Sequence, residues 1–229
     1  MEDFDKYEKD DIILYRGDCN SLIGSEINKF DCLITDPPYY TPAKISSTRK
    51  SFRRSLTDYG IFTSWFQQIA TKIEGSISPE GHLYVFCDGK TYPLFYPMFY
   101  PFTKNLRALI WDKKTSINGY SWRHQHEMVM WGEMPEAMPI KTGDGDIFTI
   151  RAVPVNDRKH PAQKPVELIK RFILKSTKEG DVVFDPFYGV GTTALACMET
   201  GRKFVGCELS VDYFETAKKF LEVDRCGIL

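Results

Sequence analysis

An apolar run that ends in Asp36-Pro37-Pro38-Tyr39-Tyr40 sets a carboxylate, two prolines and two aromatic rings side by side. These residue types suit work on the exocyclic amine of a nucleobase. Such an amine is a poor nucleophile because its lone pair is delocalised into the ring, so a catalyst must draw that lone pair out toward an electrophile. The Asp36 carboxylate and the Pro37 carbonyl can each accept one N–H, which favours a tetrahedral nitrogen. Pro37 and Pro38 stiffen the backbone that aims the carbonyl, and Tyr39 offers a ring on which a base can stack. A base treated in this way must first leave the duplex stack. Asp-Pro-Pro on its own is also a plain strand-ending turn.

A second constellation lies near the far end of the chain. Asp185 closes the run DVVFD, Phe187 follows, the chain turns on Gly189 and Gly191, and Thr192 and Thr193 open a helical pattern. Paired glycines let backbone approach a bulky nucleoside, and Glu208 closes the next apolar run near the spacing at which an acid meets ribose hydroxyls. No Gly-Lys-Ser/Thr follows, which excludes a Walker loop. A glycine turn between strand and helix with no ligand is the plainer alternative.

The elements that must hold these residues follow from periodicity. Short apolar runs at 11–18, 31–35, 82–87, 106–111, 126–131, 181–185 and 203–208 predict strands. Helices are expected at 58–75, with Ile61, Trp65, Ile69 and Ile73 as its buried stripe, and after Pro165, Thr192 and Val211. The prolines at 93, 97 and 101 restrict any helix over 91–102 to a short or interrupted one, whose aromatics chiefly fill the core. Strand–helix alternation predicts an α/β fold with a mostly parallel sheet and ligands at the carboxyl ends of its strands, where both constellations fall.

With 229 residues and 42% apolar content the chain suits one domain. Residues 132–156 break the alternation and are a candidate accessory segment. No apolar stretch approaches the roughly 20 residues of a membrane span, and the acidic start lacks a secretory signal, so a soluble cytoplasmic protein is expected. Six scattered cysteines form no C-x-x-C pair and indicate neither a disulfide framework nor a zinc site. A net charge of −1 leaves any nucleic-acid contact to a local patch. One is at hand: Lys44, Arg49, Lys50, Arg53 and Arg54 carry no acid among them and sit just after the Asp36 motif. Charge runs are commonly solvated surface, but beside a base pocket this one could hold phosphates.

TDPPYY resembles the amine-activating motif of DNA amino methyltransferases, FDPFYGVGTT is similar to their S-adenosylmethionine loop, and HPAQKP resembles the cofactor-site motif that precedes the loop in one subgroup. The catalytic motif comes before the cofactor loop, as in the circularly permuted group often called beta. The resemblance implies a Rossmann-like methyltransferase fold with a seven-stranded sheet and helices on both faces. It gives Asp36, Pro37, Pro38 and Tyr39 the catalytic work. It places Asp185, Phe187, Gly189, Gly191, Thr192 and Thr193 in the cofactor loop and Glu208 on the ribose. Asp18 and Cys19 should approach the adenine of the cofactor, while His160, Gln163 and Lys164 should surround its methionine end, with Lys164 suited to the carboxylate.

The resemblance also implies double-stranded DNA as partner, flipping of an adenine and methyl transfer to its N6, and a place near the nucleoid of a prokaryotic or phage-infected cell. It leaves open N4 of cytosine, a non-catalytic DNA- or cofactor-binding partner, a homodimer and an accompanying restriction endonuclease. RNA or protein glutamine as the target is disfavoured by motif order. No metal is expected, since transfer from a sulfonium needs none and His124 and His126 have no second ligand pair nearby.

Overall fold

Strands buried on both faces read as continuous apolar runs, and those on a half-covered edge do not. The computed structural model describes residues 4–41, 57–114, 122–138, 140, 143–159 and 163–223, and these form one sheet with helices on both faces. In chain order the elements are β1 (Asp5–Lys9), β2 (Ile12–Arg16), α1 (Cys19–Leu22), β3 (Phe30–Thr35), α2 (Tyr59–Ser76), β4 (Ile77–Cys87), α3 (Tyr92–Phe99), β5 (Asn105–Asp112), β6 (His126–Glu133), β7 (Ile147–Thr149), α4 (Val166–Ser176), β8 (Val182–Asp185), α5 (Thr192–Thr200), β9 (Lys203–Glu208) and α6 (Val211–Val223). Among the described residues the sheet has nine strands in the order β1-β2-β9-β8-β3-β4-β6-β5-β7, where seven were expected. The additions are edge pieces: β1 reads DKYEK and pairs antiparallel with β2, and β7 has three residues beside β5. β1 carries no apolar run, and β7 falls on the short IFTI, whose sequence only hints at a strand.

Alternation along the central strands divides the core. Leu33 and Val85 face one cluster with Phe62, Phe66 and Phe95, while Cys32, Ile34, Tyr84 and Phe86 face the other with Phe172, Leu195 and Phe214. The expected stripe on α2 is corrected by one position in its first half. Phe62, Phe66, Ile69, Ala70 and Ile73 are buried, whereas Ile61 is 46% exposed and Trp65 only half-covered. Phe62 stacks near Phe95, and Phe66 stacks on it at 4.0 Å, so α3 selects the phenylalanine face. In α3 itself Pro93 sits in the first turn and Pro97 lies inside; the helix ends after eight residues and a 3-10 turn, Tyr100–Phe102, follows. Phe95, Met98, Phe99 and Phe102 are buried as expected of core aromatics and their neighbours, and Tyr100 is exposed.

The connections explain where a ligand can enter. β3 is parallel to both β4 and β8, and β8 is parallel to β9. From β3 the chain crosses to β4 on one side; from β8 it crosses to β9 on the other. The loops leaving the carboxyl ends of β3 and β8 therefore diverge and open a crevice between two adjacent strands, the position at which open α/β sheets bind ligands. Asp36 begins one of these loops and Pro186 the other.

Candidate active site

The two constellations that lie 149 positions apart in sequence meet in this crevice, and a cleft there is lined by Asp36, Gln163, Lys164, Asp185, Phe187 and Gly189, among others. Asp185 is the staple between them. It is buried, and its carboxylate accepts from Thr35 Oγ1 at 2.9 Å, from the Phe187 backbone N–H at 3.0 Å and from Thr193 Oγ1 at 2.8 Å. Burial pushes its carboxyl up to about 7 against the pull of these three donors. Asp185 and Thr193 thus spend their polar atoms on each other and shape the loop from beneath.

The loop conformation explains its glycines. Gly189 and Gly191 have φ of 56° and 87°, in the left-handed region that side chains with a Cβ avoid. They differ in surroundings. A Cβ on Gly191 would stand 3.1 Å from the Cβ of Ala217 in α6, whereas one on Gly189 would meet nothing within 4 Å. Gly191 allows the loop to pack; Gly189 keeps space clear on the cleft side. The Gly189 N–H donates to Glu208 at 3.1 Å, and Ser210 N–H donates to the other oxygen at 2.8 Å. Burial raises the Glu208 pKa although these backbone donors pull it down. A carboxylate has about four lone-pair sites, so Glu208 keeps acceptor capacity for a hydroxyl beside its backbone donors.

The N-terminal segment closes this end. Gly17 N–H donates to the Glu208 backbone carbonyl at 3.0 Å, so the turn carrying Asp18 and Cys19 lies next to the end of β9. Asp18 is exposed and caps α1 by accepting from Asn20 N–H at 2.9 Å, whereas the Cys19 thiol is buried in the core and burial pushes its pKa up. Phe187 places its ring edge-on to Trp65, with centroids 5.9 Å apart. These features fit a nucleoside-bearing cofactor: open space above Gly189, an acid at ribose distance in sequence and an aromatic ring at the mouth.

At the other end, Asp36 is held from two sides. Its Oδ1 accepts from Tyr39 Oη at 2.7 Å, and its Oδ2 is paired with Lys164 Nζ. The Tyr39 ring packs beside the α4-side core, with its hydroxyl committed to Asp36. Tyr40 N–H donates to Thr91 Oγ1 at 3.1 Å, which ties the motif to the start of α3. Lys164 was expected at a cofactor carboxylate; its ammonium instead bridges Asp36 and Glu127, the latter at 3.1 Å, and Lys113 reaches the other Glu127 oxygen at 3.0 Å. Lys113 was not among the sequence candidates, and Glu127 was signalled only through the resemblance of HEMVMW to a Glu-containing strand near the base pocket of DNA amino methyltransferases. Gln163 lines the cleft and accepts from Lys159 N–H at 2.8 Å. His160 and the cations Lys44, Arg49, Lys50, Arg53 and Arg54 lie outside the described residues.

Comparison with known proteins agrees with this geometry. A protein family described as DNA methylase matches residues 30–219. The chain is 35% identical to the type II methyltransferase M2.DpnII of Streptococcus pneumoniae over 59% of this chain and 49% of that protein. With M2.LlaDCHI of Lactococcus lactis subsp. cremoris it shares 27% identity over 94% of this chain and 91% of that one. Among solved structures, the M1.HpyAVI–SAM complex superposes with a TM-score of 0.67 at 25% identity, covering 91% of this chain and 99% of that chain. The cytosine-N4-specific PvuII DNA methyltransferase shares the fold, with a TM-score of 0.73 at 17% identity over 93% of this chain and 86% of that one.

Proposed function

The chain belongs to the DNA methylase family and its cofactor is S-adenosylmethionine, and on that footing we propose that it flips an adenine out of duplex DNA and methylates N6. Bound S-adenosylmethionine supplies an electrophilic methyl group on a sulfonium. Around it, Glu208 and the Gly189 turn would hold the nucleoside, Asp18 would border the adenine, and Gln163 would face the methionine end. Asp36 and the Pro37 carbonyl would accept the two amine N–H groups and draw the nitrogen lone pair toward the methyl group that the bound cofactor would supply, and the proton displaced from the amine would leave to solvent. Tyr39 stacks on the base. The observation that carries this reading is the position of Asp36, which stands at the switch point of the sheet in one cleft with the cofactor loop.

Duplex DNA is the substrate in this proposal, with Lys44, Arg49, Lys50, Arg53 and Arg54 assigned to phosphates on composition and position in the sequence. Of residues 132–156, the part after β7 (150–156) is assigned to target contact within a single methyltransferase domain of the permuted group, whereas the part after β6 leaves the opposite, amino edge of the sheet, where Met134 N–H donates to the Gly81 carbonyl at 2.9 Å. In support, the chain after β7 emerges at the carboxyl edge, since β7 runs parallel to β5 and β5 runs parallel to β4. An accompanying restriction endonuclease and a prokaryotic or phage-infected host belong to the same proposal. The test is incubation with methyl-labelled S-adenosylmethionine and mixed-sequence duplex DNA, followed by nucleoside mass spectrometry. Label in N6-methyladenine is expected. Label in N4-methylcytosine would keep the amine chemistry and overturn the base, and cofactor binding without transfer to DNA would mark a non-catalytic partner.

A further inference from the structure

Lys164 enters the cleft from the residue before Pro165, and its side chain is only 8% exposed. A lysine ammonium has three donors and no acceptor. Here it faces Asp36 Oδ2, Glu127 Oε2 at 3.1 Å and the Phe86 ring, whose centroid is 4.8 Å away. The remaining Glu127 oxygen accepts from Lys113 Nζ at 3.0 Å. Two carboxylates and two ammonium groups drawn from four distant parts of the sequence thus form one neutral chain that ends on Asp36. Burial pushes the Glu127 carboxyl up, but Lys164 and Lys113 outweigh it and hold it below the ordinary value. For Lys164, burial pulls downward, and Asp36 with Glu127 outweighs it and holds the ammonium above its ordinary value. Glu127 and Lys164 are thus each held toward the charged form by the other and by their neighbours.

Transfer of a methyl group moves positive charge from sulfur to the amine nitrogen, and Asp36 must turn its own charge toward that nitrogen. An ammonium fixed on Asp36 opposes this. An ammonium with no other partner could not leave either, because a buried charge without a counter-ion is strongly unfavourable. We propose that Glu127, held by Lys113, is a positioning residue of the methyl-transfer centre: it anchors Lys164 so that Asp36 can exchange the ammonium for the target amine. Glu127 stays paired throughout, since Lys113 occupies its far oxygen. This inference rests on the methyl-transfer function proposed above.

The test is a double-mutant cycle on the full chain with Glu127→Gln, Lys164→Met and the pair, reading kcat, the S-adenosylmethionine Kd by calorimetry and the melting temperature. Glu127→Gln should lower kcat about 10- to 100-fold, the size seen when partners that orient functional ligands are removed, with Kd within about threefold of wild type. In the Lys164→Met background the same change should cost less than about threefold, because Glu127 acts through Lys164. Lys113→Met should lower kcat in the same direction by a smaller factor, and serves where Glu127→Gln does not fold. A melting temperature that falls while kcat stays at the wild-type value, or losses that multiply in full in the double variant, would overturn the inference. Wild-type protein that transfers no methyl group to DNA would instead overturn the function on which it rests.

Discussion

Thr35, the last residue of β3, donates its hydroxyl to Asp185, the last residue of β8, across 2.9 Å. Each is followed by one of the two loops that make the cleft, so this bond sets the distance between Asp36, the proposed amine acceptor, and the Gly189–Gly191 turn proposed to hold the cofactor. Thr35→Val removes one donor from a buried carboxylate and should destabilise the protein by about 1–3 kcal/mol. Chemical denaturation at pH 8 measures it, and a loss below about 0.3 kcal/mol would show that the bond is not formed in solution.

Asp185 also predicts a pH dependence. Its folded-state pKa is raised from the ordinary 3.8 to about 7, so the proton binds the folded protein more tightly than the unfolded chain. The stabilisation from that proton is complete below about pH 4 and disappears as pH climbs through 7, a loss on the order of 4 kcal/mol. Asp185→Asn should lack this component. The difference in unfolding free energy between wild type and variant, followed from pH 4 to pH 8, should shift steadily against the wild type, and a flat difference would contradict the raised pKa.

The two glycines of the turn proposed to hold the cofactor should separate when substituted. Gly191→Ala meets both an unfavourable φ and the Ala217 methyl, so stability should fall by about 1–2 kcal/mol or more. Gly189→Ala meets the φ penalty alone, and its methyl would project into open space. Its calorimetric Kd for S-adenosylmethionine should rise at least about tenfold while its melting temperature falls less than that of Gly191→Ala. The reverse order would place the cofactor elsewhere.

Tyr39→Phe keeps the ring and removes the hydroxyl that donates to Asp36. A hydrogen bond to a charged group is worth about 1.5–3 kcal/mol, so kcat should drop roughly tenfold or more with DNA affinity nearly unchanged, while Tyr39→Ala should weaken both. Equal losses in the two variants would assign the whole effect to stacking.

The two loops that line the cleft were legible as loops because each follows a short apolar strand closed by Asp-Pro, a boundary that local chemistry determines. The face of α2 was less so. Its sequence carries apolar residues at 61, 62, 65 and 66, two stripes offset by one, and the choice between them is made by Phe95 and Phe99 of α3, which periodicity does not register. Strand β1 escaped notice because a charged edge strand has no apolar alternation to detect. The pairing of Lys113, Glu127, Lys164 and Asp36 was not legible for a further reason: these residues come from just after β3, just after β5, from β6 and from the approach to α4, and only the assembled sheet brings them together.

The most direct measurement is the rate of methyl incorporation into duplex DNA by wild-type protein and by Asp36→Ala, each loaded with S-adenosylmethionine to the same occupancy as determined by calorimetry. Label in N6-methyladenine for the wild type and a fall of at least about 100-fold for Asp36→Ala, at an unchanged cofactor Kd, is the expected result. An Asp36→Ala protein that methylates DNA at the wild-type rate would contradict the role given to this carboxylate.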